Sequence, residues 1–218
     1  MRRFMYSIRK DIILQKKYIL YLLPILTIAI IFLNYKLLQP VGDFMSFLLV
    51  EFFGVHILFN GLALLEDNEY GRTSLIIAPY CRDAIVIGRY LFLFIVFLSI
   101  VFIYLMISII TNFFNFYPVG YLNGMVLSIT SVFISIWAGL NLSLYYKMGY
   151  KKMKVIGNVF IFLSPFILPA ITQKLSNSPL VSRINSFKNL PFVFICMALT
   201  IYLSSCIYSI KVFERRDL

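Results

Sequence analysis

The chain has 218 residues, 61% of them hydrophobic and only 13% charged, and a mean hydropathy of +0.89. A water-soluble domain carries about a quarter of its residues as charges, so lipid must be the solvent for most of this chain. The formal charge of +11 would suit a nucleic-acid surface in a soluble protein, but here the cations sit between apolar runs and report membrane orientation instead, so no nucleic-acid partner is expected.

Residues 1–17 form a basic amphipathic helix in the sequence reading. At 100° per residue, Phe4, Met5, Ile8 and Ile12 share one arc, with Arg2, Arg3, Arg9, Lys10, Lys16 and Lys17 opposite. Such a helix lies along the membrane surface, or serves only as a positive anchor. A first span covers 18–36, with Pro24 kinking it or sitting in its first turn. A second covers 44–65 and contains Glu51. A stretch without charge from Tyr90 to Tyr146 is too long for one helix and predicts two, 84–112 and 123–146, broken where Pro118, Gly120 and Gly124 cluster. A fifth span covers 155–173, through Pro165 and Pro169, and a sixth 190–210. The expected fold class is therefore all-α: a single polytopic membrane domain of six spans.

With six spans, sixteen Lys and Arg fall on the side of the termini: six in the N-terminal segment, three in the central loop (Arg72, Arg82, Arg89), four after span four and three in the tail. Four, namely Lys36, Lys174, Arg183 and Lys188, fall on the other. That asymmetry predicts both termini in the cytoplasm. Phe113, Phe114, Phe116, Tyr117 and Tyr121 would ring the outer interface.

Few residues offer chemistry. There is no Gly-Lys dipeptide, hence no Walker A loop, and no hydrolase or zinc-protease motif. One histidine and three scattered cysteines supply no metal set, and Cys196 and Cys206, ten apart on one helix, cannot bridge. Within span two, Glu51 lies roughly 10 Å below the outer end, and His56 stands one helical turn before Asn60. An intramembrane carboxylate is costly and marks a functional candidate; Glu51 either lines a path for cationic or amphipathic cargo, or caps a neighbouring helix or pairs with Lys36. His56 is either a packed, hydrogen-bonded histidine or part of the same path. Span four carries small residues four apart, Ser131, Ser135, Gly139 and Ser143. That stripe permits close helix approach, at a dimer or pore face or within the bundle.

The loop 66–83 is the longest charged segment between two spans. Glu66, Asp67 and Glu69 follow the end of span two, where acids oppose the helix dipole unless a new helix starts or basic groups meet them. Gly71 permits a turn. Residues 72–78, from Arg72 with Leu75, Ile76 and Ile77, suffice for a short amphipathic helix ended by Pro79. Arg82 follows, and Asp83 falls in the first turn of span three, where a negative charge is favoured. The alternative is a solvated connector.

At these residues the chain resembles a family. An acidic end to span two, a glycine, an apolar run, and P-x-x-R-x-x-I-V-x-x-[KR]-[YF]-L resemble the ABC-2 type permease subunits of bacterial ATP-binding-cassette exporters. The matching positions are Glu66, Asp67, Gly71, Leu75, Pro79, Arg82, Ile85, Val86, Arg89, Tyr90 and Leu91; Cys81 stands where many relatives have Ser. The resemblance implies a partner ATPase that binds ATP and Mg, no cofactor in this chain, and a coupling helix in the loop. Leu75, Ile76 and Ile77 would be its apolar contact, and the acidic cluster, Arg72 and Arg82 would orient it. It implies a second permease copy or a sister permease, location in the bacterial cell membrane, and cargo such as amphipathic peptides, phenol-soluble modulins and bacteriocins among them. The competing readings are an integral-membrane lipid-modifying enzyme built on Glu51, His56 and Asn60, and a non-transporting immunity or sensor protein.

Overall fold

A computed structural model describes residues 11–13, 15, 21, 24–30, 43–67, 82–114, 119, 122–176 and 189–215. All regular structure among them is helical, as a chain in lipid requires, because a helix satisfies its backbone hydrogen bonds internally. The long elements are α1 (Asp43–Asp67), α2 (Arg82–Phe113), α3 (Gly124–Met148), α4 (Tyr150–Ser176) and α5 (Leu190–Glu214); residues 24–30 are also helical. Within α1, α2, α3 and α5, the segments Met45–Leu65, Asp83–Phe113, Gly124–Met148 and Leu190–Glu214 are long and apolar enough to cross a membrane. Most of the expected first span lies outside the described residues. The expected fifth span falls within α4, which runs as one helix through Pro165 and Pro169.

α1 is the central helix. Its apolar window is 72% covered by protein, against 6% for α5. α1 meets α2 where Gly54 lets Ile100 approach: a Cβ at Gly54 would stand 2.6 Å from Ile100 Cδ1. Further along the same pair, Ser46 Oγ and Tyr104 Oη lie 3.4 Å apart, so α1 and α2 run antiparallel. α3 and α5 run parallel and form the most extensive contact in the bundle. A Cβ at Gly139 would come within 2.7 Å of Ser205 Oγ, and Ser143 Oγ pairs with Ser209 Oγ at 3.1 Å. The small-residue stripe therefore divides. Gly139 and Ser143 pack against α5 in the same chain, whereas Ser131 and Ser135 border a cavity.

Two sequence expectations change. The basic segment after span four is not a connecting loop: α3 and α4 are joined by Gly149 alone. Its φ of 81° and ψ of 172° lie in a region essentially open only to glycine. Its N–H donates to Tyr145 O at 2.9 Å, ending α3, and its own carbonyl accepts from Met153 N at 3.2 Å, opening α4. Arg89, counted above among the cations of the central loop, lies in the helix expected from residue 84, but faces the protein and is only 1% exposed. Its guanidinium is drawn inward by aromatic rings that hydropathy alone does not reveal.

Candidate translocation site

Two polar groups of residues lie inside the apolar bundle. The first joins α1, α3 and α4. Asn60 Nδ2 donates to His56 Nε2, as their one-turn spacing allows. This leaves the ring proton on Nδ1. Neither His56 Nδ1 nor Asn60 Oδ1 has a partner among the described residues. Trp137 packs against the imidazole at 5.7 Å between centroids, and also against Phe52 and Phe160. From α4, Asn158 comes within side-chain hydrogen-bonding reach of His56. Gly157 makes the approach possible, since a Cβ there would stand 3.0 Å from His56 Cε1 and 3.3 Å from Asn141 Oδ1. Asn141, 4% exposed, donates Nδ2 to Trp137 O at 2.9 Å. The result is a ring N–H, with Asn158 near it, and an amide carbonyl, neither of which completes a hydrogen bond among the described residues. That pair can take a hydroxyl, an amide or a water.

Glu51 is on the same helix but apart from this group, as the turn angle of about 140° from His56 implies. It is fully buried, and neither carboxylate oxygen has a hydrogen-bond partner among the described residues. The expected alternative of a helix cap therefore finds no partner there, and Lys36 lies outside the described residues.

The second group sits where α1, α3 and α5 end and α2 begins. Arg89 Cζ lies 4.9 Å from the Tyr145 ring centroid and 5.6 Å from that of Tyr146. Desolvated cation–π contacts of this kind contribute about 2 kcal/mol. Tyr146 in turn packs on Phe213 at 4.9 Å. Next to Arg89, Tyr90 Oη stands 2.9 Å from both Ser205 Oγ and Ser209 Oγ, and Tyr202 donates its hydroxyl to Tyr90 O at 2.6 Å. The N-terminal segment joins in. Asp11 is 2% exposed and acts electrostatically on Arg89 and Tyr146, and Gln15 Nε2 donates to Leu58 O of α1. Ile12 and Ile13 on this segment are uncovered, at 41% and 62% exposure, as a lipid-facing side requires.

The loop candidates are reached only at its edges. α1 continues through Glu66 and Asp67 with no basic residue in its last turn, and Arg82 opens α2 with Asp83 exposed in the first turn. Glu69, Gly71, Arg72, Leu75, Ile76, Ile77 and Pro79 lie outside the described residues. Of the other candidates, only His56 and Asn60 are brought into contact. Sequence reasoning missed Asn158 as a partner of His56, Asn141 beside Gly157, and Asp11 and Tyr145 as partners of Arg89. The available signal was the rarity of Asn within apolar runs and of Asp in a basic segment.

Comparison with known proteins returned no match among curated proteins and none among solved structures. A family model described as "ABC-2 family transporter protein" matches residues 8–214, which takes in the N-terminal segment, the loop and all five long helices. The chain therefore belongs to the ABC-2 transporter family and is a multi-pass permease subunit of an ABC transporter rather than a catalytic enzyme.

Proposed function

We propose that this chain is the membrane subunit of a bacterial exporter that moves amphipathic peptides or other amphiphiles with ATP hydrolysed on a separate ATPase. The family match over residues 8–214 carries this reading, because members of such a family act with an ABC ATPase. This chain's lack of a Walker loop is consistent with an engine held elsewhere. In this reading both termini and the 66–83 loop face the cytoplasm. Leu75, Ile76 and Ile77 dock in a groove of the ATPase, and Glu66, Asp67, Glu69, Arg72 and Arg82 orient the docked helix. Two copies, or this chain with a sister permease, complete the path.

The open donor–acceptor pair at His56 and Asn60 supports an amphiphilic cargo, as does Glu51. An apolar bundle with a few unpaired polar groups offers complementary surfaces to the two faces of an amphipathic helix. The test is affinity purification of the tagged protein from native membranes in mild detergent, with ATPase activity assayed on the eluate. A Walker-motif subunit is expected at about one per permease, lost in Ile76→Asp and uncoupled in Arg82→Glu while the permease still inserts. Elution without an ATPase, even after crosslinking, overturns the reading. An ATPase that binds but drives no peptide out of vesicles points instead to an immunity or sensor role.

A further inference from the structure

We infer that the crevice between α2, α3 and α5 is a binding site for one acyl chain of a membrane phospholipid. The crevice encloses about 270 Å³ and reaches Val55 of α1 at its floor. Its described walls come from helices that are long and apolar enough to cross the membrane. The residues at its mouth, Phe94, Leu98 and Leu199, are 42%, 49% and 48% exposed. The medium at the mouth is therefore hydrocarbon.

The wall chemistry selects an alkyl group. Among the described residues no charged side chain lines the crevice, and three hydroxyls do, from Ser131, Ser135 and Tyr202. Two of these are turned to backbone: Ser131 Oγ donates to Leu127 O at 2.7 Å and Tyr202 Oη to Tyr90 O at 2.6 Å. A polar headgroup or a peptide backbone placed here would lose its hydrogen bonds to water and regain few. Water is excluded for the same reason, since apolar cavities stay dry. An empty cavity of ~150 Å³ admits benzene, so this one has room for roughly ten carbons of chain. A phospholipid tail is the source at hand, entering sideways between Phe94 and Leu199 with its headgroup left at the surface. This inference does not depend on the cargo proposed above.

The chain's one tryptophan gives the readout. Trp137 is 8% exposed and packs on Phe52, His56 and Phe160 beside the wall residue Ala138, so the crevice's share of its quenching is read as the difference between open and filled proteins. The protein is reconstituted in vesicles of phosphatidylcholine brominated along the chains, and Trp137 quenching is compared with that in unbrominated vesicles. Strong quenching is expected, falling about two-fold when Ser135→Leu or, independently, Ser131→Leu fills the crevice. Ser204→Leu, exposed on α5 and outside the crevice, is expected to leave it unchanged. Native mass spectrometry of the unaltered protein is expected to retain about one phospholipid per chain that survives detergent washing. Equal quenching in filled and unfilled proteins overturns the site. So does an unaltered protein that retains no lipid, or one that retains a second copy of the chain in the lipid's place.

Discussion

The polar residues around Arg89 and those around His56 and Glu51 are about equally buried, and they are built in opposite ways. Around Arg89 the guanidinium lies against two aromatic rings of α3, and the Tyr90 and Tyr202 hydroxyls meet hydroxyls or a backbone carbonyl of another helix. At His56 and Asn60 one donor and one acceptor are left over, and at Glu51 both oxygens are. In hydrocarbon an unpaired polar group is costly. The first region is therefore constructed for stability, holding α2, α3, α5 and the N-terminal segment at one end of the bundle. The second tolerates a cost that only a ligand, a proton or a water relieves. Burial alone does not separate structural from functional polar residues in a membrane bundle; the contacts each group makes with other helices do.

Substitutions test that contrast, beginning with the largest effect. Arg89→Met is expected to destabilise the detergent-solubilised protein by about 3 kcal/mol, because it leaves the groups packed around the guanidinium uncompensated. Arg89→Lys recovers less than half of this, since an ammonium cannot lie flat against two rings. Thermal unfolding of the purified variants measures both. Next come the glycines. Gly149→Ala forces a side chain into a glycine-only conformation at the α3–α4 junction and should cost about 2 kcal/mol. Gly139→Ala is expected to cost a similar ~2 kcal/mol, because the added methyl meets Ser205 Cβ at 2.9 Å, an atom that cannot move without α5. Gly54→Ala serves as the comparison: it meets only the rotatable tip of Ile100 and should cost under ~1 kcal/mol. Equal melting shifts in the two Ala variants would mean that α5 is not seated on α3 as described.

Smaller still is Tyr90→Phe, which removes the phenol from Ser205 and Ser209. Hydrogen bonds between membrane helices average about 0.6 kcal/mol, so a loss near 1 kcal/mol is expected in the same unfolding assay. Glu51→Gln is expected to be nearly neutral in stability, since no described hydrogen bond is lost. It is expected instead to lower peptide efflux from energised vesicles by about tenfold, equivalent to 1.4 kcal/mol. A melting loss as large as that of Arg89→Met, with efflux unchanged, would reverse the assignment of the two regions.

The helices themselves were largely legible in the sequence. Spans expected at 44–65, 84–112, 123–146 and 190–210 correspond to helices 43–67, 82–113, 124–148 and 190–214, and the break marked by Pro118, Gly120 and Gly124 falls between α2 and α3. The one-turn step from His56 to Asn60 was also readable, because it is a property of a single helix. The partners from α3 and α4 were not, because Asn141 and Asn158 are brought to His56 by packing, with Gly157 as the only local trace. The stripe from Ser131 to Ser143 showed that a helix would come close. It did not show that only its second half would meet α5 while its first half borders an open crevice.

By itself, the sequence determined the solvent and the secondary structure. Hydropathy and residue count decide that a stretch of this kind belongs in lipid, and lipid leaves the backbone little choice but helix. The tertiary structure decided which helix is central, why Arg89 faces inward, how one glycine joins two helices, and which buried polar groups remain unpaired. These depend on contacts between residues far apart in the chain. Among helices equally apolar on all sides, shape fit and a few polar partners set those contacts.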